Sequence, residues 1–238
     1  MQPLRSAVAS AVVMTACAIA LAPTAAQADE GPAGKGDMSF SVIDAKSAIP
    51  RTGTFQLRDL ARYGVEQKAV NRLAEGRTSG AADTAEKAAP AASAAPAAPA
   101  APDPAYSIVG EWKDKDGWDT TMRQGKWPGG DYGFGLTKVD QKHNLSLAAV
   151  KATTKYPRPT GGKKQQGGTS YIYVTDVLHV KCSGWWIFRT CRVVDVKAVD
   201  AVVNFRTLRD NKPFGVVTAY CENTPGRCPD WVRQAINI

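Results

Sequence analysis

The sequence is poor in the residues and motifs by which most enzymes are recognised. Only two histidines, His143 and His179, occur in 238 residues. There is no HExxH zinc signature, no P-loop, no dinucleotide-binding glycine fingerprint and no Gly-x-Ser-x-Gly elbow, which removes the commonest zinc-protease, nucleotide-binding and serine-hydrolase readings. No Cys-x-x-Cys spacing occurs, which argues against a four-cysteine metal site. Asp114, Asp116 and Asp119 in KDKDGWD hint at a calcium loop, but the EF-hand order is broken and no terminal Glu follows. Beyond the first 28 residues no stretch approaches the roughly 18 uninterrupted apolar residues of a membrane span, so a soluble mature protein without metal or cofactor is expected.

What is present begins with an export signal. Residues 1–28 open with Arg5, continue through an apolar run rich in Ala and Val, and end in Ala26-Gln27-Ala28, small residues of the kind signal peptidase requires. This reads as a secretory signal peptide and predicts an extracellular protein. Met14-Thr15-Ala16-Cys17 loosely resembles a lipobox, the rival being lipid attachment at Cys17, but the apolar run continues past the cysteine. With Cys17 removed, Cys182, Cys191, Cys221 and Cys228 remain, an even number that argues for two disulfides in an exported protein. Of the three pairings the sequence-local one is expected, Cys182 with Cys191 around Ser183-Gly184 and Cys221 with Cys228 around Pro225-Gly226. Each closure contributes roughly 2 to 3 kcal/mol in the chain-entropy model.

Residues 29–87 are polar and alanine-rich with two islands of order. Met38, Phe40 and Val42 alternate as in a short strand, and Thr54 can cap a helix carrying Leu57, Leu60, Ala61, Val65, Ala69 and Leu73 that Gly76 ends. One strand and one helix bury too little to fold alone. The segment reads as a largely flexible stalk or pro-segment, or as an arm whose residues 38–76 order on docking to a protein partner. Residues 88–104, AAPAASAAPAAPAAPDP, form an extended Ala/Pro linker on composition. A domain at 105–238 follows.

That domain is basic: 105–238 holds 20 Lys and Arg against 12 Asp and Glu, whereas 29–104 holds 9 against 10. Much of the excess lies in Arg123, Lys126, Lys138, Lys142, Lys151, Lys155, Arg158, Lys163 and Lys164, a composition suited to nucleic acid, anionic lipid or cell-wall polymers, or simply to a solvated surface. A helix is expected over 136–143 and a second one capped by Ser146 through Leu147, Val150 and Thr154, stopped at Pro157. TGGKKQQGG at 160–168 reads as a mobile basic loop. Strand-like runs follow at 169–180, 185–199, 201–207 and 214–221, the last two joined by a turn at 209–213. The predicted class is α+β, with helices packed on a four-stranded, mainly antiparallel sheet. His179, between Leu178 and Val180, reads as structural, and the six tryptophans as core plus one exposed hairpin tip at Trp185-Trp186.

The stretch DYGFGLTKVDQKHNLSLAAVKATTKYP at 131–157 places His143 beside Lys142 and one helical turn after Lys138. Lys138 and Lys142, four apart on a helix, repel by a few tenths of a kcal/mol unless an anion lies across them. A Gly-aromatic-Gly run, a helix ending in Lys-His, a second helix, then strands finishing in GVVTAY at 215–220 resemble the ribonuclease toxins of the barnase, EndoU, colicin and RelE superfamily. The closing 221–228 loop with Pro229-Asp230-Trp231-Val232 resembles exported actinobacterial versions. The resemblance covers about 130–232 and leaves the N-terminal arm unexplained. Several relatives carry a second helical histidine where this chain has Lys138.

The resemblance implies metal-independent cleavage of RNA by its own 2′-hydroxyl. His143 would be the general base or acid, an effect typically worth about 100- to 10,000-fold. Lys138, Lys142 and Arg206 would stabilise the phosphorane, and Thr218 and Tyr220, two apart on one strand face, would bond phosphate or leaving group. It also implies an antibacterial role, with export before folding or an immunity protein protecting the producer. The opposing expectation is non-catalytic: an exported basic domain behind a spacer and arm is similar in organisation, though in no motif, to an adaptor subunit of the umbrella toxin particles of filamentous actinobacteria. A cell-wall or polyanion binder is the third.

Overall fold

The computed structural model describes residues 37–76 and 103–233. The expected signal peptide, the lipobox at Cys17 and most of the Ala/Pro linker lie outside the described residues. The fold is α+β, as expected, but its sheet has six strands. At its centre is one long antiparallel hairpin of β6 (Ser170–Ser183) and β7 (Thr190–Thr207). Valine-rich alternation through both strands favours extended backbone. The two runs expected at 185–199 and 201–207 are a single strand that starts only at Thr190, Trp186–Phe188 being a 3-10 turn; Asp200, which broke the apolar pattern, is buried within the strand.

Shorter segments occupy the hairpin's two outer edges. β1 (Met38–Ile43) and β5 (Lys163–Gly167) pair with β6; β2 (Phe55–Gln56) and β8 (Pro213–Cys221) pair with β7. The basic stretch at 160–168 is therefore largely strand and not a mobile loop: Lys163, Lys164 and Gln165 lie opposite Tyr173, Ile172 and Tyr171. A separate two-stranded sheet of β3 (Ile108–Lys113) and β4 (Asp119–Arg123) precedes the helices, so the expected order of helices first and strands afterwards is incomplete.

The strand expected at 38–42 is β1, and its sheet is the chain's own: Val42 faces Leu178 and Phe40 faces Val180. The expected helix over 54–75 is broken. Residues Leu57–Ala61 form a 3-10 helix and only Gln67–Ala74 is α-helical (α1), since Gly64 at φ +99° takes a left-handed conformation that no helix continues through. The Arg189 guanidinium donates to both the Met38 sulfur, at 2.6 Å, and the Leu73 carbonyl, at 3.3 Å. Alternation puts Met38, Phe40 and Val42 on one side of β1, so α1 lies on that side of the sheet. There Leu57, Leu60, Val65, Val70 and Leu73 are fully buried in the same core cluster as Phe40, Val42, Leu178 and Val180. Residues 38–76 are thus part of the folded body, and the linker does not divide a flexible arm from a domain.

The opposite face carries Tyr173, Thr175, Val199, Ala201, Val203 and Ala219, all fully buried. α3 (Leu147–Lys155) covers it, and α2 (Gly135–His143) lies along the outer strand β8; both are close to the expected spans. Ser146 Oγ accepts from Ala149 N at 3.1 Å as a helix cap, and Thr175 Oγ1 donates to the Tyr156 carbonyl at 2.6 Å. Both sequence-local disulfides are present, Cys182–Cys191 and Cys221–Cys228. Among the described residues no helix is long and apolar enough to cross a membrane.

Because Leu60 is fully buried against the sheet, Leu60→Ala should lower stability by about 2 to 5 kcal/mol. Chemical denaturation should give one cooperative transition in which the 38–76 segment and the rest unfold together. A separate early transition confined to 38–76 would contradict the single body described above.

Candidate active site around His143 and Tyr220

α2 is aimed by backbone contacts at both ends. At its start, Gly133 and Gly135 have φ of +93° and +75°, and a Cβ on Gly133 would lie 2.0 Å from the Lys126 carbonyl oxygen. The Gly-Phe-Gly run is therefore a close-packed crossing and not a flexible one. At its end, Asn144 adopts the left-handed capping conformation at φ 57°, and its side chain donates to the Cys228 carbonyl at 2.9 Å. Cys228 N in turn donates to the His143 carbonyl at 2.9 Å. The Cys221–Cys228 disulfide thus ties the end of β8 to the helix terminus that bears the histidine.

This brings two of the expected residues together. The His143 and Tyr220 rings lie 6.0 Å apart at 47°. Thr218, two residues before Tyr220, shares its face of β8, with Val202 opposite Thr218 and Asp200 opposite Tyr220. His143 Nδ1, Thr218 Oγ1 and Asp200 Oδ1 are buried without hydrogen-bond partners, half of the six such side-chain atoms among the described residues. Buried polar atoms are ordinarily satisfied, so each of the three retains unspent hydrogen-bonding capacity.

Burial and charge set unusual protonation states. The His143 imidazole is only 9% exposed. Burial first, then the Lys142 and Lys138 cations, lower its pKa to about 4, against weaker opposition from the Gly226 carbonyl and Asp131. Asp200 moves the other way: burial, then Glu222, raise its carboxyl to about 6. Tyr220 is pushed up to about 12 by burial and by the Asp200 and Glu222 carboxylates. At neutral pH the site holds a neutral imidazole and a neutral phenol beside a carboxylate whose ionisation is costly. Asp200 was not among the expected site residues; its signal in the sequence was an acid interrupting the apolar run from Val199 to Val203.

The other expected residues are placed differently. Lys138 is buried and spends its ammonium on the carbonyls of Asp131 and Gly133, at 2.6 and 3.3 Å. Lys142 pairs with Asp131 at 2.5 Å. The pair therefore needs no external anion to explain it. Arg206 does not join the site. Its guanidinium lies 5.9 Å from the Phe214 ring, six residues along β8 from Tyr220, roughly 20 Å of strand.

Most of the other basic residues are also committed internally. Arg123 is 1% exposed and bonds the carbonyls of Tyr106, Pro213 and Phe214 and the Asp210 carboxylate. Arg158 pairs with Asp176, which also takes Arg51. Lys126 reaches Asp103 at 3.6 Å. Lys163 pairs with Asp114 and Asp116 and lies 3.8 Å over the Trp118 ring. Asp114 also accepts from Tyr173 Oη, so the acids that hinted at calcium already hold a cation of the chain itself. His179 is structural as expected, with Nε2 2.6 Å from Ser39 Oγ and its ring stacked on Trp231 at 5.0 Å.

A concavity of about 350 Å³ opens on another flank of α2, lined by Leu136, Thr137, Asp140, Leu147 and Arg233 among others, and does not include His143, Thr218 or Tyr220. No protein-family model matches the chain, no curated protein is similar to it, and no solved structure resembles it.

The opposed shifts give a pH test. Between about 6.5 and about 4 the unfolded chain protonates His143 while the native state does not, so this group's contribution falls as the pH drops. Asp200 binds its proton near 6 when folded and near 3.8 when not, so its contribution grows as the pH drops through the same window. Denaturant unfolding from pH 7 to pH ~4.5 should therefore show His143→Gln gaining about 2 kcal/mol relative to wild type across the window, and Asp200→Asn losing a similar amount. Parallel curves for all three proteins would contradict the burial described here.

Proposed function

We propose that the chain is an exported, metal-independent ribonuclease that cleaves RNA by transesterification at His143, Thr218 and Tyr220. One observation carries the reading: the His143 ring approaches Tyr220 on the strand that also bears Thr218, with buried, unpartnered polar atoms on His143, Thr218 and Asp200. In this mechanism neutral His143 accepts the 2′-hydroxyl proton as that oxygen attacks the adjacent phosphorus. The bond to the 5′-oxygen breaks, a 2′,3′-cyclic phosphate forms, and the imidazolium returns its proton to the leaving oxygen. A conjugate acid with a pKa of about 4 gives up that proton readily. Tyr220, neutral at working pH, and Thr218 donate hydrogen bonds to the non-bridging phosphate oxygens.

Lys142 supplies positive charge once phosphate displaces Asp131, whose carboxylate is fully exposed and whose pairing is correspondingly weak. Lys138 adds to the local potential from its buried position. The signal-like residues 1–28 and the two disulfides support export to an oxidising compartment. In the toxin reading the target is the RNA of a competing bacterium, and an immunity protein or export before folding protects the producer.

A second reading, a non-catalytic secreted adaptor, is favoured by the fate of the basic residues. Six of the nine that mark the sequence as basic, Arg123, Lys126, Lys138, Lys142, Arg158 and Lys163, are engaged within the chain. In that reading the partner meets a surface other than β1 and α1, which the chain's own sheet already holds.

The deciding experiment incubates RNA and chelator with the protein lacking residues 1–28, beside His143→Ala and Tyr220→Phe. Cleavage by wild type is expected, with a loss of about 100- to 10,000-fold in His143→Ala and a smaller one in Tyr220→Phe. The wild-type rate should hold through neutral pH and fall only as the pH approaches about 4, where His143 protonates. Intact RNA in the presence of folded wild type rejects the nuclease and leaves the adaptor.

A further inference from the structure

We infer that the tip of the β6–β7 hairpin is a docking surface for an anionic lipid bilayer. Trp185, Trp186 and Phe188 stand 77%, 47% and 55% exposed there, side by side at the turn between the two longest strands. Their rings contact mainly one another: Trp185 to Trp186 at 6.4 Å and Trp186 to Phe188 at 6.3 Å. Single exposed apolar residues are ordinary on a protein surface, but three adjacent aromatics form a patch that has to be accounted for.

The tip is rigid. The Cys182–Cys191 disulfide closes the hairpin directly below it. From the side, β2 pairs with Thr190 and Cys191, and Leu57 N donates to the Arg189 carbonyl at 2.9 Å. Trp186 itself is held at φ +49°, a conformation that costs a bulky residue energy and is kept only where the surroundings impose it. The fold therefore fixes these rings outward, when a flexible turn would let them fold back against the sheet.

The charge around the tip identifies the occupant. From 181 to 192 the sequence KCSGWWIFRTCR contains Lys181, Arg189 and Arg192 and no acidic residue. Lys181 and Arg192 are exposed and sit directly opposite each other across the hairpin, an arrangement that is unfavourable unless an anion lies near both. Arg58 adds a fourth cation, 5.4 Å from the Phe188 ring. Tryptophan and phenylalanine at the apex, with the exposed Lys181 and Arg192 four residues behind them on the two strands, match the layering of a bilayer interface. The rings enter at headgroup depth, and the cations meet lipid phosphates and anionic headgroups. A protein partner would not require that layering.

The inference is independent of the nuclease reading and is tested by co-sedimentation with vesicles of phosphatidylcholine, with and without phosphatidylglycerol. The protein used lacks residues 1–28, because their apolar run would itself bind lipid. Wild type should bind the mixed vesicles, and Trp185→Ser/Trp186→Ser should weaken binding by about tenfold or more. Lys181→Ser/Arg192→Ser and high salt should each weaken it as well. If the tryptophan double variant melts earlier than wild type, Trp185→Ser alone, at the more exposed position, takes its place. Absence of binding to the mixed vesicles overturns the proposal. So does a correctly melting tryptophan variant that binds as well as wild type, since attraction of a basic protein to an anionic surface would then suffice.

Discussion

The two central strands are longer than anything beside them, and the rest of the chain is arranged to satisfy the backbone groups on their outer edges. An uncovered edge of this length would be a template for aggregation. β1 and β5 share one outer edge and β2 and β8 the other, so segments from three separate parts of the sequence are needed to complete one sheet. This is why 38–76 cannot be an appendage. Its strand closes the edge beside Val177 to Cys182, and its helices cover Leu178 and Val180 from the side opposite α3.

Charge obeys the same economy of placement. Sequence composition counts cations, but a folded chain uses them before it displays them. Arg123 takes up the carbonyls where β4 meets the start of β8, Arg158 joins Arg51 on Asp176, and Lys163 bridges the β3–β4 turn to the sheet under Trp118. A buried guanidinium or ammonium is tolerated only with such a full set of partners. The basic balance of the domain is therefore in part an internal structural requirement, and the surface field is weaker than the composition implies.

Around His143 the logic is inverted, because capacity for hydrogen bonding is left unspent. The Cys221–Cys228 bridge and the Asn144 cap bring the end of α2 to Tyr220, and burial there makes the imidazole hard to protonate while making the Asp200 carboxyl hard to ionise. Titratable groups driven in opposite directions on either side of Tyr220 are a usual setting for acid–base chemistry. The hairpin tip, at the other end of β7, makes the complementary exception: apolar surface left outside by a turn that has no freedom to bury it.

The sequence by itself determined what depends on near neighbours. α2 and α3 were legible from apolar spacing and the Ser146 cap, β1 from alternation, β8 from its β-forming residues, and the two disulfides from short loops, because each follows from residues less than about a dozen apart. The exposed tip at Trp185-Trp186 and the structural role of His179 were legible for the same reason. Only the tertiary structure decided that the runs on either side of Asp200 are one strand, that KKQQG is a strand, that 38–76 belongs to the sheet, and that Lys138 and Arg206 stand apart from the histidine's open valences. Those outcomes turn on partners far away in the chain: an edge to pair with, a carbonyl to receive an ammonium, a bulky face to bury. No local pattern carries that information.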